Sequence, residues 1–302
     1  MEKFDIVIVG AGPAGLTAAI YGKRANKSVL VLEAKNYGGQ IVGTLDIENY
    51  PATPHINGID LATNMYNQAK ELGAQIRFEK VIEVTDNLNV ITTKNTYEAR
   101  AVIIATGSDY RKLGLENEDR LLGKGVSYCA TCDGNFFKNK EVAVVGGGNS
   151  ALEEALYLSD ICSKVYLIHR RDAFRAEEVT INKVNNKSNI EKIYNTNVTK
   201  INGNEFLESI TIKNNDGVET ILNVSGLFIA VGHIPENQNF AKLIDLDDYG
   251  YIVAGEDCNT KVPGIFVAGD CRTKDLRQLV TATSDGAIAA VNAIKFIKDK
   301  ES

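Results

Sequence analysis

The chain has 302 residues, enough for two domains of ordinary size that each bury a hydrophobic core. Its formal net charge of -6 disfavours nucleic acid as a partner, and no apolar stretch reaches the roughly 20 residues that a membrane-spanning helix needs. Five cysteines, an odd number, argue against a secreted disulfide framework and favour a reducing compartment, which we expect to be the cytoplasm. The apolar N-terminus has no basic leader, so a buried strand explains it better than a signal peptide.

The first predicted elements are a strand from Asp5 to Val9, a glycine-rich turn, a helix and a second strand. Gly10 allows the tight turn, Gly12 lets the backbone approach a pyrophosphate, and Gly15 lets the helix pack closely on the strand. Glu33 ends the second strand, where an acid would hold ribose hydroxyls. A glycine-rich turn alone is weak evidence of nucleotide binding. The complete set of strand, glycines, helix, strand and acid predicts a site for an adenine dinucleotide with free ribose hydroxyls.

Two cysteines in the middle of the chain, Cys129 and Cys132, are separated by two residues and followed by Asp133. This spacing lets both sulfurs reach bonding distance within one turn at a helix start, where the unpaired amides and the helix dipole favour a thiolate. We interpret the pair as a disulfide that exchanges electrons. Half of a zinc site is the alternative, but the other three cysteines and the three histidines are scattered singly, so no metal site is predicted.

The dinucleotide pattern repeats 136 residues further along, where Gly146 and Gly148 stand in place of the first two glycines. A second dinucleotide-binding fold is therefore predicted to begin near residue 140. In each half a polar, alternating stretch follows, over residues 76–100 and 190–224. These stretches predict small antiparallel insertions, each before another buried strand.

The two halves differ at the position of Glu33, which is occupied by His169 in the second half. Arg170, Arg171 and Arg175 follow directly. A carboxylate at this position would repel a 2′-phosphate, whereas clustered arginines bind it through charge-assisted bonds. The second fold is thus predicted to bind NADPH. The alternative, a solvated basic face, does not explain why the cluster lies at the specificity position of the fingerprint.

The predicted fold is therefore α/β, with two Rossmann-like dinucleotide-binding domains and small antiparallel β insertions. The second half completes its unit by Gly232, so the buried strand at 264–270 and the closing helix at 285–296 are expected to return to the first domain. The predicted domains are residues 1–112 with 245–302, and residues 113–244 with the cysteine pair.

Eight short segments carry a family resemblance that extends along essentially the whole chain. They are residues 10–15, 38–40, 105–107, 129–133, 146–154, 169–172, 269–270 and 277–278. With these segments the chain resembles low-molecular-weight, NADPH-dependent thioredoxin reductases of the bacterial type. The chain departs from the family's usual residues at two positions. Cys271 stands where an aliphatic residue is usual, and Ala52 stands where glycine is common. We interpret Cys271 as an inert buried thiol in preference to a reactive one.

The resemblance implies that the first dinucleotide is FAD and the second is NADPH. The residues implied at FAD are Gly10, Gly12, Pro13, Ala14, Gly15, Glu33, Gly39, Gln40, Asn49, Ala105, Thr106, Gly107, Gly269, Asp270, Arg277 and Gln278. Those implied at NADPH are Gly146, Gly148, Asn149, Ser150, His169, Arg170, Arg171 and Arg175.

The resemblance also implies an order of electron transfer, from NADPH to the flavin, then to the Cys129–Cys132 disulfide, and then to thioredoxin. Cys132 would face the flavin and Cys129 would attack the protein substrate. Asp133 would protonate a departing thiolate, although an acid that merely stabilises the helix start is equally compatible with its position. A homodimer is expected on the same resemblance.

Three other functions remain open at this stage. A flavin-dependent disulfide reductase could act on another protein or take electrons from ferredoxin, but a ferredoxin donor needs no phosphate-binding arginines. A ferredoxin–NADP reductase of similar fold would lack the cysteine pair. A nucleotide-sensing module with a structural metal at the cysteines would bind no flavin.

Overall fold

The computed structural model describes residues 1–44 and 46–301 of the chain. Leu45 and Ser302, which fall within the predicted first domain, lie outside the described residues. Over the described ranges, no helix has both the length and the apolar character needed to cross a membrane.

The strands β1 to β17 are, in order, Glu2–Val9, Val29–Glu33, Gln75–Phe78, Val81–Val84, Asn89–Thr92, Thr96–Ile104, Asp109–Tyr110, Val126–Ser127, Glu141–Val145, Lys164–Ile168, Ile190–Ile193, Thr196–Asn202, Ser209–Asn214, Glu219–Asn223, Gly226–Ile229, His233–Ile234 and Ile265–Val267. The α-helices α1 to α6 are Pro13–Arg24, Gly58–Glu71, Ala130–Asp133, Asn149–Ser159, Glu178–Asn185 and Leu279–Asp299.

The chain divides into two compact units, Met1–Asp109 with Ile234–Ser302, and Tyr110–His233. We call them unit 1 and unit 2. Both boundaries differ from the predicted ones, after 112 and after 244. Phe240 and Ile244 are buried in a hydrophobic cluster of unit 1, whereas Tyr110 and Leu113 pack against a cluster of unit 2. Because side-chain burial decides which unit a segment joins, the crossings lie at 109–110 and 233–234.

The core of unit 1 is a parallel sheet with the strand order β3-β2-β1-β6, to which β17 adds on the other side of β6. Strands β1 and β6 each end in a run of four buried apolar residues, because both faces of this part of the sheet are covered. One face packs on helices α1 and α6, through residues such as Ile8 and Ala289. The opposite face buries Val7 against Val90 and Phe240.

Unit 2 repeats this arrangement in a parallel sheet with the order β11-β10-β9-β15-β8. A separate three-stranded antiparallel sheet, β12-β13-β14, follows β11 in the chain. Both predicted insertions begin one strand later than expected, because β3 and β11 pair in parallel with β2 and β10 and so belong to the main sheets. The remaining strands of each stretch, including β4 and β5 with the start of β6, are antiparallel as predicted.

Candidate functional site

The first glycine turn connects β1 to α1 in unit 1. Gly10 has a φ of +113°, and a Cβ there would lie 2.2 Å from the carbonyl oxygen of Ala105, so only glycine fits. Gly12 is the N-cap of α1, Pro13 is its first residue, and no side chain caps this helix start. The amides of the first turn, which includes Ala14 and Gly15, are therefore available to an anion.

The carboxylate of Glu33 is held beside this turn by two backbone amides. Its Oε2 accepts a hydrogen bond from the Ala11 amide at 2.8 Å, and its Oε1 accepts one from the Lys35 amide at 2.8 Å. The side chain stays partly exposed. Since each carboxylate oxygen can accept a second bond, Glu33 retains capacity for ligand hydroxyls.

Two further loops of unit 1 meet at the same turn. A Cβ on Gly39 would lie 3.4 Å from the Cα of Gly12, and the side-chain amide of Gln40 donates to the carbonyl oxygen of Ser108. The backbone amide of Ala105 donates a hydrogen bond to the carbonyl oxygen of Val9 at 2.8 Å.

The residues after Ala105 continue this wall of the site. Thr106 donates from Oγ1 to Oδ1 of Asn237 at 3.0 Å. Gly107 adopts a φ of +70°, and its missing side chain leaves open space. The strand ends that the sequence predicts at the first dinucleotide therefore come together in unit 1.

Asp270 supplies a buried acceptor next to these elements. Its Oδ1 is buried and makes no hydrogen bond to any described residue. Burial raises the pKa of Asp270, against the opposing charges of Lys274 and Arg277. A buried oxygen without a protein partner calls for a donor, which a polyhydroxyl ligand chain would supply. The residues of unit 1 therefore fit the predicted FAD.

The remaining predicted FAD residues form one connected cluster. The Arg277 guanidinium lies 4.0 Å from the centroid of the Tyr251 ring, and its Nε donates to the Asp270 carbonyl oxygen at 3.4 Å. Gln278 is the N-cap of α6 and accepts a hydrogen bond from the side chain of Asn49 at 3.1 Å.

Sequence reasoning missed the network that holds Gly269, the residue before Asp270. The Gly269 amide donates to Oδ2 of Asp285 at 2.9 Å. Arg272 donates to both oxygens of Asp285, from Nε at 2.8 Å and Nη2 at 2.9 Å, and Lys274 donates at 2.8 Å. All three charged side chains are buried. One signal was available, because Asp285 interrupts the small apolar residues of α6 that face the core.

The second glycine turn connects β9 to α4 in unit 2 and repeats the geometry of the first. A Cβ on Gly146 would lie 2.4 Å from the carbonyl oxygen of Ala230. Gly148 is the N-cap of α4, with no side-chain cap and with open space beside it. Asn149 and Ser150 begin the helix, and Oδ1 of Asn149 accepts the Glu177 amide at 2.7 Å. A second anion-binding helix start results.

His169 lies beneath this turn and is not presented to solvent. A Cβ on Gly147 would lie 2.2 Å from the His169 ring, whose Nε2 is buried without a partner among the described residues. Burial lowers the pKa of His169, and the charges of Arg170 and Arg175 lower it further. His169 is therefore neutral at pH 7 and adds no positive charge for a phosphate.

The arginines that follow His169 lie beside the second turn. The Arg175 amide donates to the carbonyl oxygen of Gly147 at 2.7 Å, which brings the loop against the glycines. Arg170 and Arg175 are exposed and Arg171 is partly buried. None of the three forms an ion pair with any residue that the structure describes. The cluster is thus free to receive a phosphate, and unit 2 fits the predicted NADPH.

Cys129 and Cys132 form a disulfide in unit 2, with their Cα atoms 5.3 Å apart. Cys129 is the N-cap of the short helix α3, and its amide donates to Oγ of Ser127 at 3.0 Å. Ser127 in turn donates to Oδ2 of Asp133 at 2.6 Å. Burial raises the pKa of Asp133 in spite of this hydrogen bond, so the side chain holds a proton more readily than an exposed aspartate does.

The other three cysteines are buried free thiols. Burial raises the pKa of Cys162 to about 11 and that of Cys258 to about 12. Burial also raises the pKa of Cys271, whose Sγ contacts the carbonyl oxygens of Ala268 and Ile104 at 3.4 and 3.6 Å. A thiol that stays protonated is a poor nucleophile, which agrees with the inert interpretation of Cys271.

Comparison with known proteins gives consistent matches. A family profile described as pyridine nucleotide-disulphide oxidoreductase matches residues 4–286. The thioredoxin reductase of Listeria monocytogenes is 46% identical over 305 residues, covering 99% of this chain and 96% of that protein. The thioredoxin reductase of Bacillus subtilis is 42% identical over 301 residues, covering 98% and 95%. The crystal structure of thioredoxin reductase from Streptococcus pyogenes superimposes with a TM-score of 0.93 at 40% identity, covering 98% of this chain and 99% of that one.

Proposed function

Because this chain belongs to the pyridine nucleotide-disulphide oxidoreductases, we propose that it is an NADPH-dependent thioredoxin reductase that uses FAD. The observation that carries this proposal is the Cys129–Cys132 disulfide at the start of α3. It lies in the same unit as a glycine turn flanked by exposed arginines. This combination fits an enzyme that takes electrons from NADPH and delivers them to a disulfide.

Each unit has its own cofactor in this proposal. Unit 1 holds FAD. This assignment is supported by the start of α1, which has no side-chain cap, by Glu33 and by the buried Asp270 oxygen that lacks a hydrogen-bond partner among the described residues. Unit 2 holds NADPH, supported by the second helix start and by the exposed Arg170 and Arg175. When bound, the two cofactors supply hydride transfer and two-electron chemistry.

The residues of unit 2 carry the thiol chemistry. Once the disulfide is open, the Cys129 thiolate attacks one sulfur of the thioredoxin disulfide, whose S–S bond breaks as a mixed disulfide forms. Cys132 then attacks Cys129, which releases reduced thioredoxin and closes the Cys129–Cys132 bond again. Asp133, with its raised pKa, gives a proton to the thiolate that departs. Two electrons leave the chain in each cycle.

The partners and the cellular setting belong to the same proposal. Thioredoxin is the protein substrate, and the chain acts as a homodimer in the cytoplasm. Three thiols kept buried and unpaired suit a reducing compartment. The alternative function is a flavin-dependent disulfide reductase with another protein substrate, or with ferredoxin as electron donor.

The test is reduction of purified thioredoxin with NADPH as the sole electron donor, after confirming bound flavin from its visible absorption. Turnover is expected with the unmodified protein and with Cys162→Ala, which removes a buried thiol outside the site. Cys129→Ser should be inactive. A protein that needs ferredoxin, or that reduces some other protein but not thioredoxin, would support the alternative.

A further inference from the structure

Glu154 is a partly buried residue of helix α4, which packs against the helix that begins at the two redox cysteines. Its carboxylate accepts a hydrogen bond from the backbone N–H of Ala130, the residue that follows Cys129. Its other oxygen, Oε2, is buried and has no hydrogen-bond partner within the described chain. The mechanism derived above does not use this residue.

No described residue forms an ion pair with Glu154. The elements that pack against α4 are α3, α5, β9, β10 and β11. Their titratable groups, with those of α4 itself, are Cys129, Cys132, Asp133, Glu141, Glu153, Tyr157, Lys164, Tyr166, Glu178, Lys183, Glu191 and Lys192. Burial raises the pKa of Glu154 to about 7, and the hydrogen bond from Ala130 opposes this rise only in part. Both protonation states are therefore populated near neutral pH.

The carboxylate is close to the sulfur of Cys129 by covalent geometry. The Ala130 nitrogen is bonded to the carbonyl carbon of Cys129, so an oxygen hydrogen-bonded to that nitrogen lies within about 8 Å of the Cys129 sulfur. A thiolate at Cys129 would depend on the same helix-start amides as the Glu154 carboxylate. Two negative charges at this separation oppose each other's ionisation.

We propose that Glu154 is a positioning residue of the disulfide helix and that its protonation state sets the thiolate fraction of Cys129 in the reduced enzyme. This inference rests on the proposed dithiol chemistry. The Cys129–Cys132 bond would break on accepting two electrons, which bound FAD would supply, and both sulfurs would begin as thiolates. Asp133 gives a proton to one of them. Asp133 is then itself a carboxylate, and an ionised Glu154 takes a proton from solvent, which removes one of the three negative charges that would otherwise surround the helix α3.

The test measures the reactivity of Cys129 against pH without NADPH or thioredoxin. The full-length protein with bound FAD is reduced with dithiothreitol and freed of it, and alkylation of Cys129 by iodoacetamide is followed by peptide mass spectrometry from pH 5 to 10. The unmodified protein is expected to show two inflections, one of them near the pH at which Glu154 ionises. Glu154→Gln keeps an acceptor for the Ala130 amide and removes the charge.

Glu154→Gln should therefore show one inflection, with an apparent thiol pKa lower by about one unit, equivalent to about tenfold faster alkylation below that pKa. Glu205→Gln, at an exposed glutamate of unit 2, should match the unmodified protein. The alkylation profile of Asp133→Asn should keep the inflection near pH 7. That result would assign this inflection to Glu154 and not to Asp133. A Glu154→Gln profile that superimposes on the unmodified one would overturn the proposal.

If Glu154→Gln does not fold, a single inflection in the unmodified protein would overturn the proposal equally, and two inflections that persist in Asp133→Asn would support it. Failure of NADPH-driven thioredoxin reduction would not alter this result, because the measurement uses neither molecule. A failed proposed function and a failed role for Glu154 can thus be distinguished.

Discussion

The Asp285 carboxylate in unit 1 offers a sharp test of how the Gly269–Asp270 turn is supported. Asp285→Ala removes the acceptor of four hydrogen bonds, two from Arg272, one from Lys274 and one from the Gly269 amide. The side chains of Arg272 and Lys274 are only 1% and 4% exposed, so neither cation can turn to solvent. The substitution leaves two buried positive charges that have lost their main anionic partner.

The expected loss of stability follows from that burial. Removing one partner of a buried ion pair costs about 3–5 kcal/mol, because the remaining charge stays desolvated. At about 2–4 °C per kcal/mol for a chain or unit of this size, the melting temperature should fall by about 6–20 °C. Burial raises the pKa of Asp285, but the bonds from Arg272 and Lys274 outweigh it and hold that pKa below its ordinary value. A depressed folded pKa means that this stability is present above about pH 4 and is lost as pH falls through the folded pKa.

The assay is urea and thermal unfolding of the purified protein at several pH values, together with the dissociation constant for FAD. Asp299→Ala, an exposed aspartate at the end of the same helix, is the matched control and should change stability by less than about 0.5 kcal/mol. FAD should be retained less well by Asp285→Ala, since the turn before Asp270 loses its hydrogen bond. An Asp285→Ala protein within about 1 kcal/mol of the control at pH 7 would refute the reasoning.

Three further predictions concern unit 2. Arg170→Ala or Arg175→Ala should raise the KM for NADPH by about tenfold or more and leave the KM for NADH unchanged, because one charge-assisted bond to the phosphate is worth about 1.5–3 kcal/mol. The control Lys213→Ala, on the separate antiparallel sheet, should change neither KM. Equal use of both nucleotides by the unmodified protein would contradict the assignment. Cys129→Ser and Cys132→Ser should each abolish thioredoxin reduction, while NADPH still bleaches the flavin in both variants. Only Cys129→Ser should show a long-wavelength thiolate–flavin absorption band. Loss of bleaching in either variant would indicate a structural role for the cysteine pair. The pKa of Glu154 is higher in the folded than in the unfolded protein, so its contribution to stability is present below about pH 4.5 and is lost as pH rises through about 7. Relative to Glu154→Gln, the unmodified protein should therefore lose up to about 3 kcal/mol of unfolding free energy between pH 5 and 9. Parallel stability curves for the two proteins would contradict this prediction.

Local features of the chain could be predicted from the sequence because their physical causes are local. The turns at Gly10 and Gly146 need residues without a Cβ, since a Cβ would meet the backbone of the neighbouring strand end at 2.2 and 2.4 Å. The spacing of Cys129 and Cys132 allows a disulfide within one helical turn, which is the bond that the structure contains. The repeat of strand, turn, helix and strand likewise predicted two similar parallel sheets.

Features that depend on long-range packing could be seen only in the tertiary structure. Whether a strand joins a sheet in parallel depends on its neighbour, so β3 and β11 could not be separated from the insertions by alternation alone. The basic run began with a histidine that proved to be buried against Gly147, a contact that no spacing rule contains.

The charges of the site illustrate the same division. Sequence patterns identify which residues can ionise, but a pKa depends on desolvation and on partners brought together by folding. Glu154 meets Ala130 across two packed helices, and Asp285 meets Arg272 only because α6 packs against the turn after β17. The sequence therefore specifies the two nucleotide turns and the redox pair, while the packing of the elements determines which carboxyl groups are buried beside them and how strongly each one holds its proton.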